Sequence, residues 1–499
     1  MGSAPTKSIT CCEDKSGTVQ TSPRSSMHSA SSKEMTEKDV SRPRNVTQDM
    51  DMFCATPGVE DKVPLSKRIS QSLDKEALAD AMAGEVRRAE YTDKSIEVEF
   101  EAPEMNVKKV DEDTHVNISK AHDSDAWFLT FGNTRRNLVC VASYVDIALH
   151  RMNISQHTYK HRYDHTLTLW KDGQMFCAPL KGHQGKVSHC AFSPDDKMLA
   201  SVSFDKTAML WSITEKGAKA LFLLEAHKRR IWYCEFTFDG RFLVTAAGDN
   251  TLAIWDTSNG KMIQRLEGKH TSIVNCCATS SKDYIIASGS FDKNVVLWDC
   301  DRKTGKSDSS RCLKGHSSFV FDVSFSVDGK TLASSSQDRT VRVWDVTTGT
   351  CLHVLKEHNR EVMACRFSSS VDSNVLVSVS GAKPFGVCRE TFPSKKDKAP
   401  EVIYEIMRDD EEEEEEKNED LGVGTCVCVS SNGDVAVLGT TSGTLVLVSG
   451  LSRRKQIKRR ILKGCHDGPV RSCSFSKDMK HFASCSSDGS VALVTDMAL

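Results

Sequence analysis

The sequence contains no run of 18 apolar residues, so no membrane-spanning helix is expected. No apolar h-region follows its first residues, which argues against a secretory signal. Net charge is nearly absent. Lys+Arg 66 against Asp+Glu 68 leaves −2, and bulk polyelectrolyte binding to nucleic acid is not expected. No CxxC…CxxC framework is present, so a structural zinc site is not expected. The 19 cysteines are scattered instead, many within apparent strands (Cys190, Cys234, Cys276, Cys277, Cys473). They read as reduced, buried thiols of a cytoplasmic protein, with a nuclear or membrane-anchored location as alternatives. Phosphate-loop, HExxH and GxSxG motifs are missing, so no enzyme and no cofactor is expected. Two SxxK look-alikes, Ser203–Lys206 and Ser290–Lys293, recur only because a turn recurs.

What remains is a chain of 499 residues, 39% hydrophobic, long enough for a sizeable core. Residues 1–63 are rich in Ser, Thr, Lys and Asp and poor in aromatics, and read as a disordered tail. Across 64–92, Leu65, Ile69, Leu73 and Ala77 recur every four residues among charges, which predicts a short amphipathic helix.

From about residue 115 the chain repeats. Five segments align on one Asp: Ser201…Asp205…Trp211, Thr245…Asp249…Trp255, Ser288…Asp292…Trp298, Ser334…Asp338…Trp344 and Ser484…Asp488…Val494. Each is preceded by a His: His183, His227, His270, His316 and His466. Spacings of 44, 43, 46 and 42 separate His183, His227, His270, His316 and His358. Short strands at such a period, marked by Gly-His and Trp-Asp, are the signature of a β-propeller.

With those marks the sequence resembles the WD40-repeat family over roughly residues 115–499. The resemblance implies an all-β propeller in which Trp, Ser/Thr, His and Asp form a hydrogen-bonded chain within each blade. A buried indole N–H and a buried carboxylate both need partners, so His183, Ser201, Asp205, Trp211 and their equivalents read as structural rather than catalytic.

The interval from His122 to His183 is 61 residues. Excising the 19 residues Val145–Tyr163 restores a spacing of 42, so 145–163 reads as an insertion in the second turn of blade 1, either a loop or an unspliced segment. The interval from His358 to His466 is 108, room for two periods plus an acidic loop at 409–420 before blade 7. Blade 6 has Ala382 and Cys388 where Asp and Trp belong, and Pro384 disturbs its third strand. Blade 8 needs an outer strand, which Val116–Ser119 can supply. The expectation is eight blades, with seven as the alternative.

Function in such a fold is carried by loops. The positions three and five after each His and one before each Asp point to the rim that holds these residues. They assign Trp127, Tyr144, Phe204, Arg230, Trp232, Phe291, Phe319, Phe321, Met363 and Arg471 to a partner-binding top face, aromatics, Met and Arg being enriched at interface hot spots. The competing reading buries several of them between blades. The acidic loop suits a basic partner segment, or is a solvated loop. Arg453–Arg460 is a basic run on the opposite rim, read either as an import or anionic-surface signal or as a charged strand edge. His157, His161 and His165 share a four-residue spacing, but His165 falls in strand register and no metal site is assigned. Met1-Gly2…Thr6 fits a myristoylation pattern, with Cys11 and Cys12 beside it for acylation, and membrane contact is expected only if these are modified. The resulting expectation is a non-catalytic scaffold for a protein or peptide, with no small-molecule substrate. The alternative is a substrate receptor or adaptor of a ubiquitin ligase, a role common in the family, although no Trp-Asp-x-Arg motif follows any blade.

Overall fold

A computed structural model of the chain describes residues 87–88, 106–111, 114–122, 125–134, 138–144, 165–171, 174–369, 375–381, 386–391, 401–406, 422–451 and 458–494. These form eight antiparallel sheets that follow one another along the chain. Each begins with an inner strand after the His loop and runs outward. Blade 2 is typical, with Val187–Phe192, Met198–Ser203, Thr207–Thr214 and Gly217–Glu225 in that order. The inner strands pack side by side in chain order, and Val470–Phe475 of the last sheet packs on Asp125–Phe131 of the first. The stretch 360–450, on which the blade count turned, contributes to two sheets: one from Val362–Phe367 to Glu401–Ile406, one from Gly424–Val429 to Lys458–Leu462.

Second and third strands are apolar on both faces because each sheet is covered by neighbours on both sides. Phe242–Ala247 and Val435–Thr440 are buried at every position. The core therefore lies between blades. Cys140, Leu167 and Leu169 of blade 1, for instance, pack with Leu199, Met209 and Trp211 of blade 2.

The inner strands present an open backbone edge to the axis, and this edge would carry unpaired polar groups. Side chains of one blade satisfy the next. Ser188 donates to the Ile231 carbonyl at 2.6 Å, Asn275 to Phe321 at 2.9 Å, and Thr425 to Val470 at 2.6 Å. Glu235 accepts from the Thr279 N–H at 3.2 Å, and Asp322 from the Cys365 N–H at 3.0 Å.

The outer strand of the last sheet comes from the start of the repeat region. Thr114–Lys120 pairs with Ser490–Val494, placing Val116 opposite Val494 and Ser119 opposite Val491. Asn106–Asp111 adds a fifth strand outside it.

Within the expected helix at 64–92, the described residues Arg87–Arg88 are instead a short strand paired with Phe222 and Leu223 at the outer edge of blade 2. A sheet edge offers them backbone partners, which local helical spacing does not foresee. The rest of that span lies outside the described residues, as do 1–63, the insertion 145–163, the acidic loop 409–420, Gly2, Cys11, Cys12, His157 and His161. On either side of the insertion, Leu138–Tyr144 and Leu167–Lys171 pair in regular register. Among the described residues of blade 6, the third strand Gly386–Thr391 starts after Pro384 and meets the second only at Val375–Thr391 and Leu376–Glu390.

Candidate functional site

The His and Asp loops meet at one rim, and four blades carry the full hydrogen-bonded chain. In blade 4 Trp298 donates its indole N–H to Ser288 Oγ at 2.9 Å, His270 Nε2 lies 2.8 Å from the same oxygen, and His270 Nδ1 lies 2.9 Å from Asp292. Blades 2, 3 and 5 repeat it with His183, Ser201, Asp205 and Trp211; His227, Thr245, Asp249 and Trp255; and His316, Ser334, Asp338 and Trp344. Burial opposes ionisation of these carboxyls. The bonds from the histidine and the adjoining Thr and backbone N–H outweigh it, holding Asp205 down at about 2 and Asp249, Asp292 and Asp338 below the ordinary carboxylate range. The histidine, hydroxyl and carboxylate of each chain are thus engaged with one another and with the adjoining backbone.

The residue after each Asp turns through the left-handed region. Lys206, Asn250, Lys293 and Arg339 have φ of 76°, 68°, 75° and 69°, and Gly443 and Gly489 take the place in blades 7 and 8 at 81° each. This turn aims the Asp back at the His.

Blade 1 joins its His to its Trp by a different route. Val141 sits where Ser or Thr belongs, but Thr168 on the third strand bridges His122 Nε2 at 3.2 Å and the Trp170 indole at 3.0 Å. A threonine two residues before the Trp is the sequence signal for this substitution. In blade 8, Val494 replaces Trp, and His466 bonds Ser484 at 2.7 Å and Ser490 at 2.6 Å.

The ten rim candidates divide by their surroundings. The residue before each Asp donates its N–H to the carbonyl three after the His: Phe204 to Lys186 at 2.8 Å, Gly248 to Arg230 at 2.8 Å, Phe291 to Ile273 at 3.0 Å. That bond fixes the two positions as neighbours. Exposed Arg230 lies over the Phe204 ring at 5.0 Å, and Phe204 meets Trp232 edge-on at 4.7 Å. Arg471 lies over the Trp127 ring at 4.7 Å across the join of blades 8 and 1. These five are exposed or half-buried. Phe291 and Phe321 are 8% exposed and pack within the blade interface, with half-buried Phe319 stacked on Phe291 at 4.7 Å. Met363 packs against the core between blades 6 and 7. The Tyr144 side chain lies outside the described residues. Ser188 and Asn275, at equivalent positions, stitch blade to blade and do not belong to a contact surface.

Sequence reasoning missed the polar lining of the central channel. His189 is sandwiched between Phe128 and Tyr233, with centroids 3.9 and 3.7 Å away, and burial followed by the Arg366 charge pushes its pKa well down. Arg366 pairs with Asp322. Among the described residues no group of three His, Cys, Asp or Glu suits a metal ion, and the described cysteines form no disulfide.

The family model for the WD domain, G-beta repeat, matches residues 175–212, 218–256, 260–299, 307–345 and 454–493. The chain carries five WD40 repeats. Its matched WD40 repeats end on the third strands of blades 2 to 5 and 8, where His and Asp are both kept. Blades 1, 6 and 7 adopt the same fold without a match. The chain is 25% identical over 318 residues to apoptotic protease-activating factor 1 of Danio rerio, covering 62% of this chain and 23% of that protein. It is 28% identical over 211 residues to nuclear distribution protein PAC1 of Arthroderma otae, covering 42% of this chain and 40% of the other. This WD40 chain thus spans well under half the length of the curated relatives it matches.

Proposed function

We propose that the protein is a non-catalytic scaffold that holds a protein or peptide partner on the rim of its His and Asp loops. The observation that carries this reading is the Arg230–Phe204–Trp232 group, with Arg471 on Trp127 nearby in the ring. An exposed guanidinium layered on half-buried aromatic rings offers area, shape and charge at low entropic cost. Phe291, Phe321 and Met363 serve by supporting the rim from within. The segment 409–420 adds negative charge before blade 7, which favours a basic partner segment whose binding weakens as salt rises.

The test is affinity capture with wild type and an Arg230→Ala/Trp232→Ala variant matched for melting temperature. A partner kept by wild type and lost by the variant supports the reading, and co-purifying cullin-ligase subunits would redirect it to a ligase receptor. Partners captured equally by both proteins refute it. Anchoring through Gly2, Cys11 and Cys12 is a separate proposal, and mass spectrometry of an unacylated N-terminus ends it.

A further inference from the structure

A cavity of about 240 Å³ lies at the opposite end of the channel, independent of the rim above. Ser281, Ser326 and Ser369 in its wall belong to the loops after the inner strands, which places it at the far rim. Its chemistry rests on Tyr233 and Glu235 of blade 3 and Arg366 of blade 6.

Most polar groups in the wall are already engaged. Thr279 Oγ1 donates to the Phe236 carbonyl at 2.8 Å, Ser281 to Val327 at 2.7 Å, and Ser324 accepts from the Phe367 N–H at 3.1 Å. Arg366 spends Nη1 on Asp322 and on the Cys365 carbonyl. Three groups have capacity left. One Glu235 carboxylate oxygen has no donor among the described residues, the Tyr233 hydroxyl has no partner there, and Arg366, a third exposed, keeps Nη2 and Nε unspent. None of the three is sealed from solvent, so water can meet them, and a ligand that carries both charges can take the place of that water.

A simple cation would satisfy Glu235 and leave the guanidinium edge bare, and a simple anion would do the reverse. We infer that this cavity binds a small zwitterion of the free amino-acid class, its ammonium on Glu235 and its carboxylate on Arg366. The volume lies below the ~300 Å³ at which pockets for larger organic ligands begin, in keeping with so small an occupant.

Binding is coupled to protonation. Arg366, Asp322, Tyr233, Cys234 and Cys277 all face Glu235. Burial, opposed by Arg366 and aided by Asp322, raises Glu235 to about 8. Tyr233, Cys234 and Cys277 are pushed up from already high values and stay protonated. The ammonium needs the ionised carboxylate, so affinity rises about tenfold per pH unit from 6 toward 8.

Calorimetric titration of the full chain with glycine, L-alanine and 4-aminobutyrate tests this, with methylamine and acetate as single-ended controls. The expected result is binding of at least one zwitterion with that pH profile, weakened at least about tenfold by Glu235→Gln. Arg366→Lys, which keeps the charge opposite Asp322, weakens it too. Silence from all three zwitterions at pH 8, a flat pH profile, or controls that bind as tightly overturns the inference. The profile and the controls decide it even if a variant fails to fold.

Discussion

A single hydroxyl holds each complete blade chain together. Ser288 Oγ accepts the Trp298 indole proton and engages His270, so Ser288→Ala orphans two buried groups at once. We expect a loss of about 2–4 kcal/mol, measured by urea unfolding. These chains were legible in sequence because their spacing recurs. Thr168 was not, since its hydroxyl reaches the same point in space from a different strand. The buried histidines set the response to acid. Burial lowers His358 and His466 to about 4, with Asp488 and Asp467 partly opposing it at His466. The folded state keeps both neutral, whereas the unfolded chain protonates them below about 6.5. Their contribution to stability is therefore intact above pH 6.5 and declines as pH falls toward 4. His358→Gln should flatten that decline in melting curves taken from pH 7 to 4.

At the scale of an element, the left-handed position of this turn tolerates a side chain after the Asp of blades 2 to 5 and refuses one after Ser442 of blade 7. A Cβ on Gly443, at φ 81°, would run into the His466 carbonyl of the next blade. Gly443→Ala should cost at least about 1–3 kcal/mol, seen as a lower urea midpoint, while Lys206→Gly leaves stability nearly unchanged. The closing strand was legible as well, because blade 8 lacks an outer strand and Val116–Ser119 is available to supply it. The strand Asn106–Asp111 and the pair Arg87–Arg88 were not. Their places are set by edges left open by other segments, and a local pattern does not encode such edges. At the rim positions, whether a side chain faces solvent, as Arg230 does, or the next blade, as Phe321 does, depends on the packing between two sheets, which spacing along the chain does not encode.

For the whole molecule, the channel places a half-buried carboxyl where ionisation is unfavourable. Glu235 titrates near 8 in the folded state, well above its unfolded value of about 4.3. The folded state binds the extra proton, so this group favours folding in full below the unfolded pKa, and that contribution is lost as pH rises through 8. Melting temperatures of wild type should fall between pH 5 and 8 relative to Glu235→Gln, the opposite slope to that of the buried histidines. The channel was hidden from sequence reading because Tyr233, Glu235, Asp322 and Arg366 come from three blades and share no motif.

The pairing of Thr114–Lys120 with Ser490–Val494 also has a temporal side. On the ribosome the first of these segments emerges long before its mate, by on the order of tens of seconds at ordinary elongation rates. Throughout that wait the nascent sheets have a bare seam at each end, ready to pair with a neighbouring chain. Translation speed and chaperone capture should therefore govern the yield of this protein as strongly as the stability of its finished wheel.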